Sequence, residues 1–144
     1  MREMTNTILL LDDEPHCLDW LIDYLKSKSY LVEVVRNVKE AADLLHKVKY
    51  RAVIIDLNVP ATGDFAEVLA KKGEIYQSFR GIYIAELARN RGHRNRQVIV
   101  YSVHESEAIR AICKKLDVAY LTKGRPRQFK EEIDDVLSFD PTQK

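Results

Sequence analysis

Five short apolar runs punctuate the chain, and each of four intervals between them carries apolar residues at helical spacing. Thr7 to Leu11, Leu31 to Val35, Ala52 to Ile55, Val98 to Tyr101 and Ala119 to Thr122 are the runs, rich in branched residues and short enough for buried strands. Leu18, Leu21, Ile22 and Leu25 recur at i, i+3, i+4 and i+7, which predicts a helix to about Lys28 with Pro15 in its first turn. Asn37 followed by Glu40 has the spacing of a capping box, and Ala41, Leu44, Leu45 and Val48 supply the apolar side of a second helix. Ile109, Ile112, Cys113 and Leu116 mark another helix; Phe129, Ile133, Val136 and Leu137 mark a last one that starts near Pro126.

Strands alternating with amphipathic helices imply right-handed βαβ units, here five, and a parallel sheet covered on both faces. The expected fold is therefore α/β, a doubly wound three-layer sandwich. One domain spanning residues 1–144 is expected, with no output domain attached, since no repeat or second core pattern is present.

Composition narrows the classes. Lys and Arg number 23 against 22 Asp and Glu, a net charge of +1, so no global attraction to nucleic acid or to an anionic membrane is expected. A hydrophobic share of 46% with 31% charged residues fits a globular chain, and the first apolar run is too short for a signal peptide or a span, which places the protein in the cytoplasm by expectation. Cys17 and Cys113 have no metal-ligand spacing and read as two buried thiols.

The polar residues that close the apolar runs carry the chemistry. Arg51 to Pro60, R-A-V-I-I-D-L-N-V-P, is a buried run ending in Asp56, with Asn58 and Pro60 starting a loop. Alone, Asp56 reads equally as a strand cap or as a reactive carboxylate. In an open parallel sheet, however, all carboxyl ends share one edge, so Asp12, Asp13, Asp56, Ser102 and Lys123 converge there. Clustered carboxylates repel unless a cation joins them, and hard oxygen donors favour Mg²⁺, with Mn²⁺ as a substitute. Such a carboxylate can attack phosphorus, while Lys123 and Ser102 hold the transferred oxygens.

These residues carry a resemblance to the receiver domain of two-component response regulators, of the chemotaxis-regulator kind, over roughly residues 7 to 138. The matching stretches are L-L-L-D-D-E-P, V-I-I-D-L-N-V-P, V-I-V-Y-S-V and Y-L-T-K. The resemblance implies a flavodoxin-like (βα)5 fold with strand order 2-1-3-4-5. It implies that Asp56 is the phosphoacceptor, that Asp12 and Asp13 support Mg²⁺, and that Asn58 offers the ion its backbone carbonyl. It makes Ser102 and Lys123 the phosphate-sensing pair and Tyr120 the aromatic that turns inward with Ser102. Such a protein is a phosphoacceptor that promotes its own phosphoryl transfer and dephosphorylation rather than an enzyme on an outside substrate. Its partners would be a histidine kinase or histidine phosphotransfer protein and an unidentified downstream protein. The usual output face would here include Arg110, Lys114 and Tyr120.

The sequence departs from the family pattern after Pro60. Four residues beyond it stands Asp64 where the family has glycine, and G-I-Y-I-A-E-L-A-R from Gly81 matches the family's third helix. An insertion at about residues 61–80 results. Phe65, Val68 and Leu69, then Ile75, Phe79 and Ile82, predict two helical pieces hinged near Gly73, the second running into the third helix through Gly81. It is a passive elaboration, a lid over Asp56 or a docking surface. Val103 stands where a smaller residue is usual, and Gly124 replaces a proline after Lys123. Arg89, Arg91, Arg94, Arg96 and His93 form a basic loop, read as a solvated face, with contact to an acidic protein or nucleic acid as the lesser alternative. Two other functions stay open: a binding module independent of phosphate that uses the 61–80 insert, and a metallohydrolase in which His16 or His104 joins the acids.

Overall fold

The computed structural model describes residues 2–14, 18–59, 64–74, 76, 79–93, 97–102, 106–122 and 126–138, with backbone only at 2, 3, 64, 65 and 126. Five parallel strands, β1 (Arg2–Leu11), β2 (Leu31–Val35), β3 (Val48–Asp56), β4 (Val98–Ser102) and β5 (Ala119–Thr122), form one sheet in the order β2-β1-β3-β4-β5. Six helices are described: α1 (Asp19–Ser27), α2 (Val38–Leu45), α3 (Asp64–Lys72), α4 (Gly81–Asn90), α5 (Glu107–Leu116) and α6 (Pro126–Leu137). The expected doubly wound fold and its strand order are both present.

Strand periodicity divides the core into two layers. Leu9, Leu11, Val53, Ile55, Val98 and Val100 face one side and pack with residues of α2, α4 and α5. Ile8, Leu10, Ala52, Ile54, Ile99 and Tyr101 face the other and pack with Leu21, Leu25, Phe129 and Ile133 from α1 and α6. The central strand β3 is therefore apolar at consecutive positions because both of its faces are buried.

Several boundaries differ from the sequence reading. β1 begins at Arg2, not Thr7, and pairs Arg2, Glu3 and Met4 with Val48, Lys49 and Tyr50 of β3 before the register shifts between Met4 and Ile8. Val48 thus belongs to β3 and not to the second helix, which ends at Leu45; it stays buried in the same layer. Asn37 caps α2 by accepting a hydrogen bond from the Glu40 amide at 2.9 Å, but Glu40 reaches back to the Arg36 amide, one residue upstream of the usual capping-box donor. Pro15 and Cys17 lie outside the described residues; Cys113 is buried as expected.

The inserted segment contains α3, which ends at Gly73 with φ +128°, a conformation suited to glycine. Glu74 and Tyr76 are again helical, so helical backbone lies on both sides of Gly73. The expectation that this second piece runs through Gly81 is corrected: α4 starts at Gly81, with Arg80 as its N-cap. A Cβ on Gly81 would sit 2.4 Å from the Asp56 carbonyl oxygen, 2.8 Å from Leu57 Cα and 2.9 Å from Ile55 Cγ2. Gly81 is the point where α4 lies directly on the end of β3, and its amide donates to the Leu57 carbonyl at 3.1 Å.

Candidate functional site

The carboxyl ends of β1 and β3 bring Asp12, Asp13 and Asp56 together, with one carboxylate oxygen of each within 4.8 Å of the others. Register explains the meeting. Leu11 pairs with Ile55, so the next residues in each strand, Asp12 and Asp56, lie side by side, and Asp56 itself pairs with Tyr101 of β4. Asp12 and Asp56 are 1% and 2% exposed, whereas Asp13 is exposed at the mouth. Two carboxylates are thus held out of water and the third faces it.

Backbone turns fix the buried pair. Asp12 Oδ1 accepts from the Glu14 amide at 2.8 Å, and the Asp12 amide continues the sheet by donating to the Val35 carbonyl at 3.0 Å. Asp56 Oδ1 accepts from the Asn58 amide at 3.0 Å, closing an Asx turn as the chain leaves β3. Asn58 itself is exposed. Ser102 is fully buried at the end of β4, opposite Thr122. Lys123 follows Thr122 directly and lies outside the described residues, as do Pro60, Val103 and Gly124.

One residue at the site has no counterpart in the sequence reading. The Tyr101 hydroxyl donates to Asp12 Oδ2, so both oxygens of Asp12 accept a hydrogen bond. Burial first, and the Asp12 charge next, push the Tyr101 phenol far above its ordinary range, leaving a neutral donor. Its ring is seated against Phe129 of α6 with centroids 5.7 Å apart, and Trp20 of α1 meets Phe129 at 5.9 Å. A tyrosine in an apolar strand reads as core, and only the register across three strands reveals that its hydroxyl reaches an acid.

Tyr120 is half-buried on β5, packed against the α2, α4 and α5 layer, and the Arg110 guanidinium lies 5.8 Å from its ring. The basic loop is corrected in part. His93 is buried, accepting from the Tyr50 amide through Nε2 at 2.9 Å while Nδ1 meets the Ala88 carbonyl at 3.1 Å. Arg89 donates to the Leu116 and His93 carbonyls, and Arg91 to that of His46, so these residues tie α4 to its neighbours. Arg94 and Arg96 lie outside the described residues, as do His16 and His104.

The donor set fits a magnesium ion: among the described residues the cluster is three hard carboxylates, without the imidazole or thiolate that zinc prefers. No helix among the described residues is long and apolar enough to cross a membrane.

No protein-family model matches the chain, and no curated protein matches it either. Solved structures do. A CheY-like response regulator receiver domain protein from Methanospirillum hungatei superposes with a TM-score of 0.70 at 19% identity, over 94% of this chain and 95% of that one. The BeF₃-activated N-terminal receiver domain of Klebsiella pneumoniae RstA gives 0.69 at 15% identity, over 93% and 100%. The receiver domain of a Pseudomonas aeruginosa sensor histidine kinase, with magnesium coordinated in its active site cleft, gives 0.64 at 17% identity, over 94% and 100%. The fold is that of CheY-like receiver domains.

Proposed function

We propose that this chain is a receiver that accepts a phosphoryl group on Asp56 and signals by changing the surface it offers to a protein partner. The observation that carries the reading is the triad of carboxylates, Asp12, Asp13 and Asp56, gathered at the strand ends of a receiver fold. The donor is a phosphohistidine of a histidine kinase or phosphotransfer protein. A carboxylate oxygen of Asp56 forms the new bond to phosphorus as the bond from phosphorus to the imidazole nitrogen breaks, and the electron pair returns to that nitrogen. Magnesium held by Asp12, Asp13, Asp56 and the Asn58 carbonyl supplies the counter-charge that lets anions meet there.

This chain's own residues set the geometry of that step. The Asn58 amide holds Asp56 Oδ1 and so orients the carboxylate that attacks. Ser102 and Lys123 bind the transferred oxygens, and movement of Ser102 toward them frees the space into which Tyr120 turns. Arg110, Lys114 and Tyr120 then present the altered face, a shift between two conformers that phosphate stabilises unequally. Residues 1–144 act as one receiver unit with an insertion at about 61–80. Incubation with acetyl phosphate and Mg²⁺ should add one labile phosphate at Asp56, and labelling that persists in Asp56→Ala overturns the assignment.

A second reading gives the insert the binding role, independent of phosphate. Val68 on α3 favours it, being 42% exposed beside a buried Leu69. Pull-down with wild type, Asp56→Asn and a deletion of residues 62–80 separates the two: binding that follows the insert and ignores Asp56 supports the second.

A further inference from the structure

We propose that Tyr101 is a positioning residue for the acidic pocket, its hydroxyl serving as a built-in partial counter-charge for Asp12 that an incoming divalent cation must share. The inference rests on the receiver reading of the pocket, but its evidence is separate. Asp56 pairs in register with Tyr101, and Asp12 lies on the strand beyond, so the phenol spans from β4 past β3 to reach β1. A hydroxyl at that distance requires a long, rigid side chain, and the ring is fixed by Phe129 at 5.7 Å and by complete burial.

The consequence follows from charge. Three carboxylates with oxygens within 4.8 Å destabilise one another, and with Asp12 and Asp56 buried water does little to screen them. The hydroxyl dipole stabilises the charged Asp12 and keeps it aimed before any ion arrives. It also draws on the electron density of Oδ2, which makes Asp12 a weaker ligand. The ion-free pocket is therefore assembled, and cation affinity is lower than three bare carboxylates would give.

Tyr101→Phe removes the oxygen and keeps the ring. In calorimetric titration with MgCl₂ the variant should bind about fivefold more tightly than wild type, the equivalent of losing part of one charge-assisted hydrogen bond in the ion-free state only. Urea unfolding should show a loss of stability that is larger without Mg²⁺ than with it. Proton NMR of wild type should show a slowly exchanging phenolic proton that shifts on Mg²⁺ addition and is missing from the variant.

A purely structural hydroxyl predicts equal losses with and without Mg²⁺ and unchanged affinity, and that result overturns the proposal, as does weaker binding. If Tyr101→Phe folds only when Mg²⁺ is present, the proposal is supported; failure to fold in either condition overturns it. Wild type that binds no Mg²⁺, with Asp13→Asn and Asp56→Asn equally inert, overturns the receiver reading together with the inference. Wild type that binds while Tyr101→Phe matches it overturns the role of Tyr101 alone.

Discussion

Gly81→Ala is the substitution in which packing and helix propensity make opposite forecasts. Alanine in a helix is favoured over glycine by up to about 1 kcal/mol, so by propensity the change stabilises α4. The structure places the new methyl 2.4 Å from the Asp56 carbonyl oxygen and 2.8 Å from Leu57 Cα. Both are backbone atoms of the site itself, and neither can rotate away. An ordinary carbon–oxygen contact lies near 3.3 Å, so α4 and the end of β3 must separate by about 1 Å, and overpacking of this kind costs about 1–3 kcal/mol. With the packing cost at the upper end of that range, as a 1 Å displacement of two backbone segments implies, packing wins by about 2 kcal/mol, or roughly 4–8 °C in melting temperature for a chain of this size. Because the displaced carbonyl belongs to Asp56, Mg²⁺ affinity should fall as well. Gly73→Ala is the control: nothing lies within 4 Å of its added methyl, and only the φ of +128° is strained, so stability should fall with cation affinity intact. Urea denaturation with calorimetric Mg²⁺ titration measures both quantities. A Gly81→Ala protein as stable as wild type, with unchanged affinity, refutes the close approach of α4 to the site.

Three further outcomes follow from other parts of the molecule. Burial lowers the His93 pKa from 6.5 to about 4, so the neutral ring is the folded form and its stabilisation is complete above pH 6.5. Falling pH should remove about 3 kcal/mol between pH 6.5 and 4, seen as a slope in urea midpoints that His93→Gln flattens. Removing one charge from the acidic cluster should relieve repulsion: Asp56→Asn is expected to raise stability without Mg²⁺ by about 1–3 kcal/mol and to lose the stabilising response to Mg²⁺, both read by thermal unfolding. The insert is tied to α4 through Glu86, which accepts from Tyr76 at 2.7 Å and from Lys72 at 3.3 Å. Glu86→Ala should cost about 1 kcal/mol and speed proteolytic cutting near Gly73, a change that limited proteolysis detects.

The architecture was legible because both faces of the sheet are buried. Apolar runs such as Val53 to Ile55 cannot be surface strands, and an acid such as Asp56 that closes one marks the strand's carboxyl end. Asn37 announced its helix because a cap is a local signal, made with a residue three positions away. What escaped notice was non-local. The first residues of β1 are mostly polar, Met4 excepted, and only pairing with Val48 to Tyr50 makes them a strand. His93 looked like part of a charged loop because its neighbours are arginines, yet it is the acceptor for a β3 amide 43 residues away. Gly81 has the sequence of a tolerated helix interior; its real constraint comes from the end of β3. Tyr101 read as apolar core for the same reason, since its hydroxyl finds Asp12 only across two neighbouring strands.

The proposed roles fall to the strand ends: Asp56 to react, Asp12 and Asp13 to hold a cation beside it, and Tyr101 to keep Asp12 in place before the cation comes. The measurement that tests this most directly is intact-mass spectrometry after incubation with acetyl phosphate, with and without Mg²⁺, followed by mapping of the modified peptide. The account predicts one phosphate per chain, dependent on Mg²⁺, on the peptide containing Asp56, and none on Asp56→Asn. Phosphate that forms without Mg²⁺, maps to another residue or survives in Asp56→Asn would contradict it, as would a wild-type chain that takes up no phosphate.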